Sequence, residues 1–118
     1  MTKNTLNDFI IEGIQKTKGK EIVNIDLSKI DNRICQNYII CHGDSNTQVG
    51  AIADSIQEEV SLQLSVNAFH KEGLRNREWV LLDYIETIVH IFQKPTRDYF
   101  KVEELWADAD ITYVKSDY

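Results

Sequence analysis

Gly43-Asp44-Ser45 stands just before a periodic apolar segment, so it places a turn and then a helix N-terminus, an arrangement that favours an anion. Nucleotide transfer needs more than that: carboxylates on an adjacent strand must hold metal ions. No Asp-x-Asp follows on a strand, and the only such triplet is Asp108-Ala109-Asp110 in the C-terminal tail. The turn runs on as Asn46-Thr47, so the lysine of a phosphate-binding loop is missing. A capped helix start accounts for the run. His42, His70 and His90 raise the question of a metal, yet none stands four residues from another, and Cys35 and Cys41 add no ligand-pair spacing. They read as a loop histidine, an edge-strand histidine and a strand histidine. The cysteines read as reduced thiols, Cys41 being a small core residue in Tyr38-Ile39-Ile40-Cys41. No catalytic residue, metal or cofactor is expected.

The elements that would position these groups follow from periodicity. Leu6, Phe9, Ile10 and Ile14 recur at helical spacing, with Thr5 and Asp8 as a capping arrangement and Gly19 as terminator. Ile22–Asp26 is a short strand, and Leu27–Gln36 is polar and irregular. Asn37–Cys41 is apolar on both faces and therefore a central strand. Val49, Ile52, Ala53, Ile56, Val60 and Leu64 form one stripe of a long helix that starts at Asp44 or Ser45 and ends near Asn67. Phe69–Glu72 suits an edge strand. Trp79–Asp83 and Thr87–Phe92, linked by Tyr84-Ile85-Glu86, predict an antiparallel hairpin. Pro95 closes the strand region, Val102–Ala109 predicts a short helix, and residues from about 110 to 118 are expected to fray. The sum is an α/β fold, a mixed sheet covered mainly by two helices.

The 118 residues suit one domain, with 42% hydrophobic and 27% charged residues, so a single core is expected over 1–118. The net charge of −6 and pI near 5.0 argue against a naked nucleic-acid backbone as the main partner and suit a basic protein partner. Met1–Leu6 has neither a secretory nor a transit pattern, and no apolar stretch approaches the roughly 20 residues of a membrane span. A cytoplasmic protein with no membrane association is the expectation.

Three ordered patches carry a family resemblance. The first is Gly43-Asp44-Ser45-Asn46-Thr47-Gln48-Val49-Gly50-Ala51-Ile52-Ala53-Asp54. The second is Glu72-Gly73, then Trp79-Val80-Leu81-Leu82-Asp83-Tyr84 and Val89-His90-Ile91-Phe92. The third is Arg97-Asp98-Tyr99 and Glu103-Glu104-Leu105-Trp106-Ala107-Asp108-Ala109. In order and approximate spacing they resemble the Iojap, or ribosomal silencing factor, family over nearly the whole chain. The chain departs from that pattern at Ile85-Glu86, where the family usually has Gly-Asp, so a turn that avoids positive φ is expected. It departs again at Cys41-His42-Gly43, where Ala-Thr-Gly is usual. The resemblance implies a nucleotidyltransferase-like fold without catalytic carboxylates. It also implies binding to large-subunit ribosomal protein L-fourteen, and steric blocking of subunit joining when nutrients are scarce.

The hairpin is the candidate docking face. Trp79, Leu81 and Asp83 share one side of their strand, Val80 and Leu82 the other. Periodicity leaves open whether both sides are core; the resemblance favours an interface. Trp79, Leu81 and Tyr84 are then the apolar anchors, with Asp83, Glu72 and His90 as polar contacts and Lys71 and Tyr99 beside them. Two other readings stay open: a nucleotidyltransferase-like enzyme, and a homodimer that pairs the hairpin face with itself.

Overall fold

A computed structural model describes residues 5–118; Met1–Asn4, where part of the leader argument rests, lie outside it. Helix α1 (Leu6–Lys16) is followed by strands β1 (Lys20–Asp26) and β2 (Asn37–Gly43) and by helix α2 (Asn46–Leu64). Then come β3 (His70–Glu72), β4 (Trp79–Asp83), β5 (Thr87–Gln93), helix α3 (Lys94–Phe100), a 3-10 turn (Val102–Trp106) and β6 (Asp110–Tyr113). The strands form one six-stranded mixed sheet in the order β3-β4-β5-β2-β1-β6. Among the described residues only the central β2–β5 pair is parallel. Both central strands are buried on their two faces, which is why they read as unbroken apolar runs.

The helix starts follow from side-chain caps. Thr5 and Asp8 complete a capping box on α1, and Ser45 Oγ accepts the Gln48 N–H at 3.1 Å to start α2. The helix α1 ends one turn of chain before Gly19: Lys18 takes the left-handed conformation at φ +59, and the Gly19 N–H closes on Ile14 O at 3.0 Å. Gly19 is needed for space instead, because a Cβ there would run into the Ile14 side chain. Gly13 lets the two helices touch, since a Cβ would lie 2.8 Å from Ile56 Cα.

The two faces of the sheet differ. On one, α1 and α2 bury Phe9, Ile10, Ile14, Ile52 and Ile56 against Ile39, Val80, Leu82, Val89 and Ile91. On the other, no long helix lies among the described residues. Val23, Ile25, Ile40, Ile88 and Phe92 are covered by Leu27, Cys35 and Val102 from the connecting segments. The expectation of a sheet covered by two helices therefore holds for one face only. The buried free thiols Cys35 and Cys41 sit in different clusters.

Three differences at the C-terminal half have physical reasons. Pro95 does close β5, but by opening α3: its fixed φ and missing N–H suit the first helical turn. Val102–Ala109 shortens to a 3-10 turn. The tail does not fray from residue 110, because β1 has an outer edge whose backbone groups need partners. Strand β6 supplies them from Val23↔Tyr113 to Asp26↔Asp110, and the Val114 N–H donates to Ile22 O at 2.9 Å. The Tyr118 hydroxyl donates to Gly19 O, which fastens the end of the chain.

The β4–β5 turn also departs from expectation. Ile85 itself adopts a positive φ of +75. The Glu86 N–H reaches back to Tyr84 O at 2.9 Å, a γ-turn, while the Tyr84 N–H donates to Thr87 O and the Ile85 N–H to Asp83 Oδ1. The Gln36 and Asn37 N–H groups both donate to Glu86 O, so the surroundings hold a turn that a β-branched residue disfavours.

Candidate docking face

Trp79, Leu81 and Asp83 point from β4 to the sheet face that lacks the long helices, and all three are half-buried; Val80 and Leu82 point the other way and are fully buried. Alternation along the strand thus separates a core side from a side that is only partly covered. The Trp79 ring packs on Phe92, with centroids 4.9 Å apart, and on Phe100 at 5.0 Å. Phe100 is 49% exposed, and beyond it Tyr99 stands edge-on at 5.0 Å and 80% exposed. Across the ladder Glu72 lies opposite Leu81 and His70 opposite Asp83, so these two exposed residues share the Trp79 face. Glu72, Gly73, Trp79 and Leu81 line a shallow depression there.

Arg97 positions the aromatic pair. Its guanidinium is buried and donates to His42 Nδ1 at 2.9 Å, to Glu103 at 3.1 and 3.4 Å, and to Lys20 O at 3.4 Å. These bonds tie α3 to β1, β2 and the 3-10 turn, which sets where Tyr99 and Phe100 emerge. His42 accepts from Arg97, so it is neutral; burial first and the Arg97 charge second hold its pKa below the ordinary imidazole value. The loop histidine expected at this position is thus a buried residue of β2, where the Arg97 guanidinium satisfies its ring.

Other expected contact residues lie elsewhere. Tyr84 is only 5% exposed and belongs to the helix-side core, so it offers no anchor. His90 is 7% exposed and is no surface residue either: its Nδ1 accepts the Trp79 indole N–H at 3.0 Å. Burial pushes the His90 pKa down to about 4. Lys71 is exposed but lies opposite Leu82, on the helix side of the sheet rather than with Trp79. The face therefore brings together Trp79, Leu81, Asp83, Glu72 and Tyr99, and adds Phe100. Phe100 was not legible in the sequence because the helix that carries it was not; Pro95 followed by Arg97-Asp98-Tyr99-Phe100 was the available signal.

The composition of the face suits recognition. An aromatic group and Leu81 are flanked by carboxylates, which is how a protein interface core and rim are built. Among the described residues no three His, Cys, Asp or Glu side chains converge to hold a metal ion. Ser45, the residue of the Gly-Asp-Ser run that could serve an anion, caps α2.

Known proteins resemble the chain over most of its length. A family model described as "Ribosomal silencing factor during starvation" matches residues 2–117. A ribosomal silencing factor of Chromobacterium violaceum is 37% identical over 101 residues, covering 86% of this chain and 81% of that protein. One of Halalkalibacterium halodurans is 31% identical over 109 residues, covering 92% of each. A crystal structure of a Chromobacterium violaceum protein superposes with a TM-score of 0.83 at 33% identity, covering 99% of this chain and 97% of that one.

Proposed function

Because the chain belongs to the ribosomal silencing factor family, we propose that it represses translation by docking on the large ribosomal subunit and sterically preventing the small subunit from joining. The partner in this reading is large-subunit protein L-fourteen, as the family resemblance implies, and the mode is occupancy rather than catalysis. One observation carries the choice of surface. The tilted Trp79–Phe100 pair, Leu81 and the exposed Tyr99 form a partly open aromatic and apolar face bordered by Glu72 and Asp83. A basic ribosomal partner suits those carboxylates and the net charge of −6, which would speed encounter more than it deepens affinity. No helix among the described residues is long and apolar enough to cross a membrane.

The test is co-sedimentation of the purified protein with separated ribosomal subunits, followed by a subunit-joining assay. Binding to the large subunit alone, with loss of joining, is expected. Trp79→Ala should lose about 2 kcal/mol or more of that binding, as a central aromatic anchor does. Trp79 also packs on Phe92, so the variant gives up some stability as well. Tyr99→Ala and Phe100→Ala remove exposed rings and separate the two effects. If both stay folded and bind like the wild type, the docking face lies elsewhere.

A further inference from the structure

We infer that His90 is the positioning residue of the docking face: its Nδ1 holds the Trp79 indole in the orientation that a partner meets. The inference rests on the docking face proposed above and adds to it a residue that touches no partner itself. An indole N–H can only donate, so His90 Nδ1 must accept, and the neutral ring carries its proton on Nε2. That Nε2–H is buried with no hydrogen-bond partner among the described residues. Its surroundings are aromatic: Tyr38 at 5.0 Å and 77°, Phe92 at 6.2 Å and nearly parallel, Trp79 at 5.9 Å. A buried donor without an acceptor destabilises a fold, and an apolar ring of the same size would avoid that cost. Packing alone therefore does not explain an imidazole here; the bond to Trp79 does.

The placement of the bond gives it its effect. His90 and Leu81 are register partners on β5 and β4, and Trp79 is paired with Phe92. The imidazole thus sits diagonally from the indole on the same face, within reach of its polar edge. Without that acceptor the indole is held by tilted ring contacts alone, against Phe92 below and Phe100 at the rim. Ring contact is tolerant in angle, whereas a hydrogen bond of 3.0 Å fixes which edge of the ring is turned inward. The apolar edge is left for the partner, and the ordering cost of the anchor is met before binding.

The experiment is a double-mutant cycle read by binding to the isolated large subunit, with a spectroscopic arm on the free protein. His90→Phe keeps an aromatic ring, slightly larger than the imidazole, and removes the acceptor. It should fold with an unchanged or higher melting temperature and bind about tenfold more weakly. His90→Asn, whose side-chain oxygen reaches the Nδ1 position, should recover most of that loss. In a Trp79→Phe background, which has no indole N–H, His90→Phe should change binding less than about twofold. Nitrogen-15 spectra should show His90 as the Nε2–H tautomer and the Trp79 indole N–H shifted on His90→Phe. Equal loss in both backgrounds, wild-type binding by His90→Phe, or an Nδ1–H tautomer each overturns the inference while leaving the docking face in place. Absence of wild-type binding to the large subunit takes down the docking reading and this inference together.

Discussion

His90 shows how one residue changes meaning with burial. In sequence it alternates with Val89 and Ile91 and looks like a polar group on a strand surface; in the fold it is enclosed by Tyr38, Trp79 and Phe92. The folded protein holds it neutral, with a pKa of about 4 against an ordinary value of 6.5, and His42 is shifted in the same direction. In the unfolded chain both rings take up a proton near pH 6.5, so below that pH the unfolded state binds more protons and stability falls with pH. Between pH 7.5 and pH 5, His90 alone should remove about 2 kcal/mol of folding stability. Urea unfolding at the two pH values measures it, and His90→Phe should flatten the dependence. Equal losses in variant and wild type would mean that this ring does not titrate on unfolding. Trp79, Leu81 and Asp83 were legible as one side of a strand, because a period of two is written in the order of residues. The burial of Tyr84 was not, because it depends on which segments lie across from the end of β4.

At the scale of elements, the hairpin tip stores strain. Ile85 holds a positive φ of +75 while its side chain is 62% exposed, so it has little packing to offset the conformation. Such a position costs about 1–3 kcal/mol, and glycine adds back about 0.4–1 kcal/mol of unfolded-chain entropy. Ile85→Gly should therefore raise stability by about 1 kcal/mol, read as a shift in the urea midpoint at constant slope. A fall in the midpoint would mean that the isoleucine side chain packs more than its exposure indicates. The helices α1 and α2 and both hairpin strands were readable from periodicity and caps. Helix α3 was not: seven residues give too few turns for a periodic signal, and Arg97 holds it by reaching His42 and Glu103 rather than by an apolar stripe. Phe100 rides on that helix and was hidden with it, whereas Tyr99 was already named from the motif Arg97-Asp98-Tyr99.

Across the whole molecule, the far edge of the sheet is the short strand β6, contributed by the C-terminal segment and paired to β1. Removing residues 110–118 would strip β6 from β1 and make the longer, more apolar β1 the edge strand, with its backbone donors and acceptors unpaired. The truncated protein should melt at least about 4 °C lower and associate in a concentration-dependent way, visible by thermal scanning and sedimentation. An unchanged melting temperature with a monomeric species would show that β6 adds nothing to the fold. The helix stripes, the apolar central strands, the hairpin and each motif of a silencing factor can be read in the order of residues, because each is carried by neighbours a few residues apart. That one face of the sheet receives both long helices while the other is left partly open follows from the packed fold. It alone paired His42 with Arg97, Trp79 with Phe100, and Val23 with Tyr113. Periodicity fixes the side of its own strand or helix to which a residue points, whereas what stands opposite is set by segments far away in the chain.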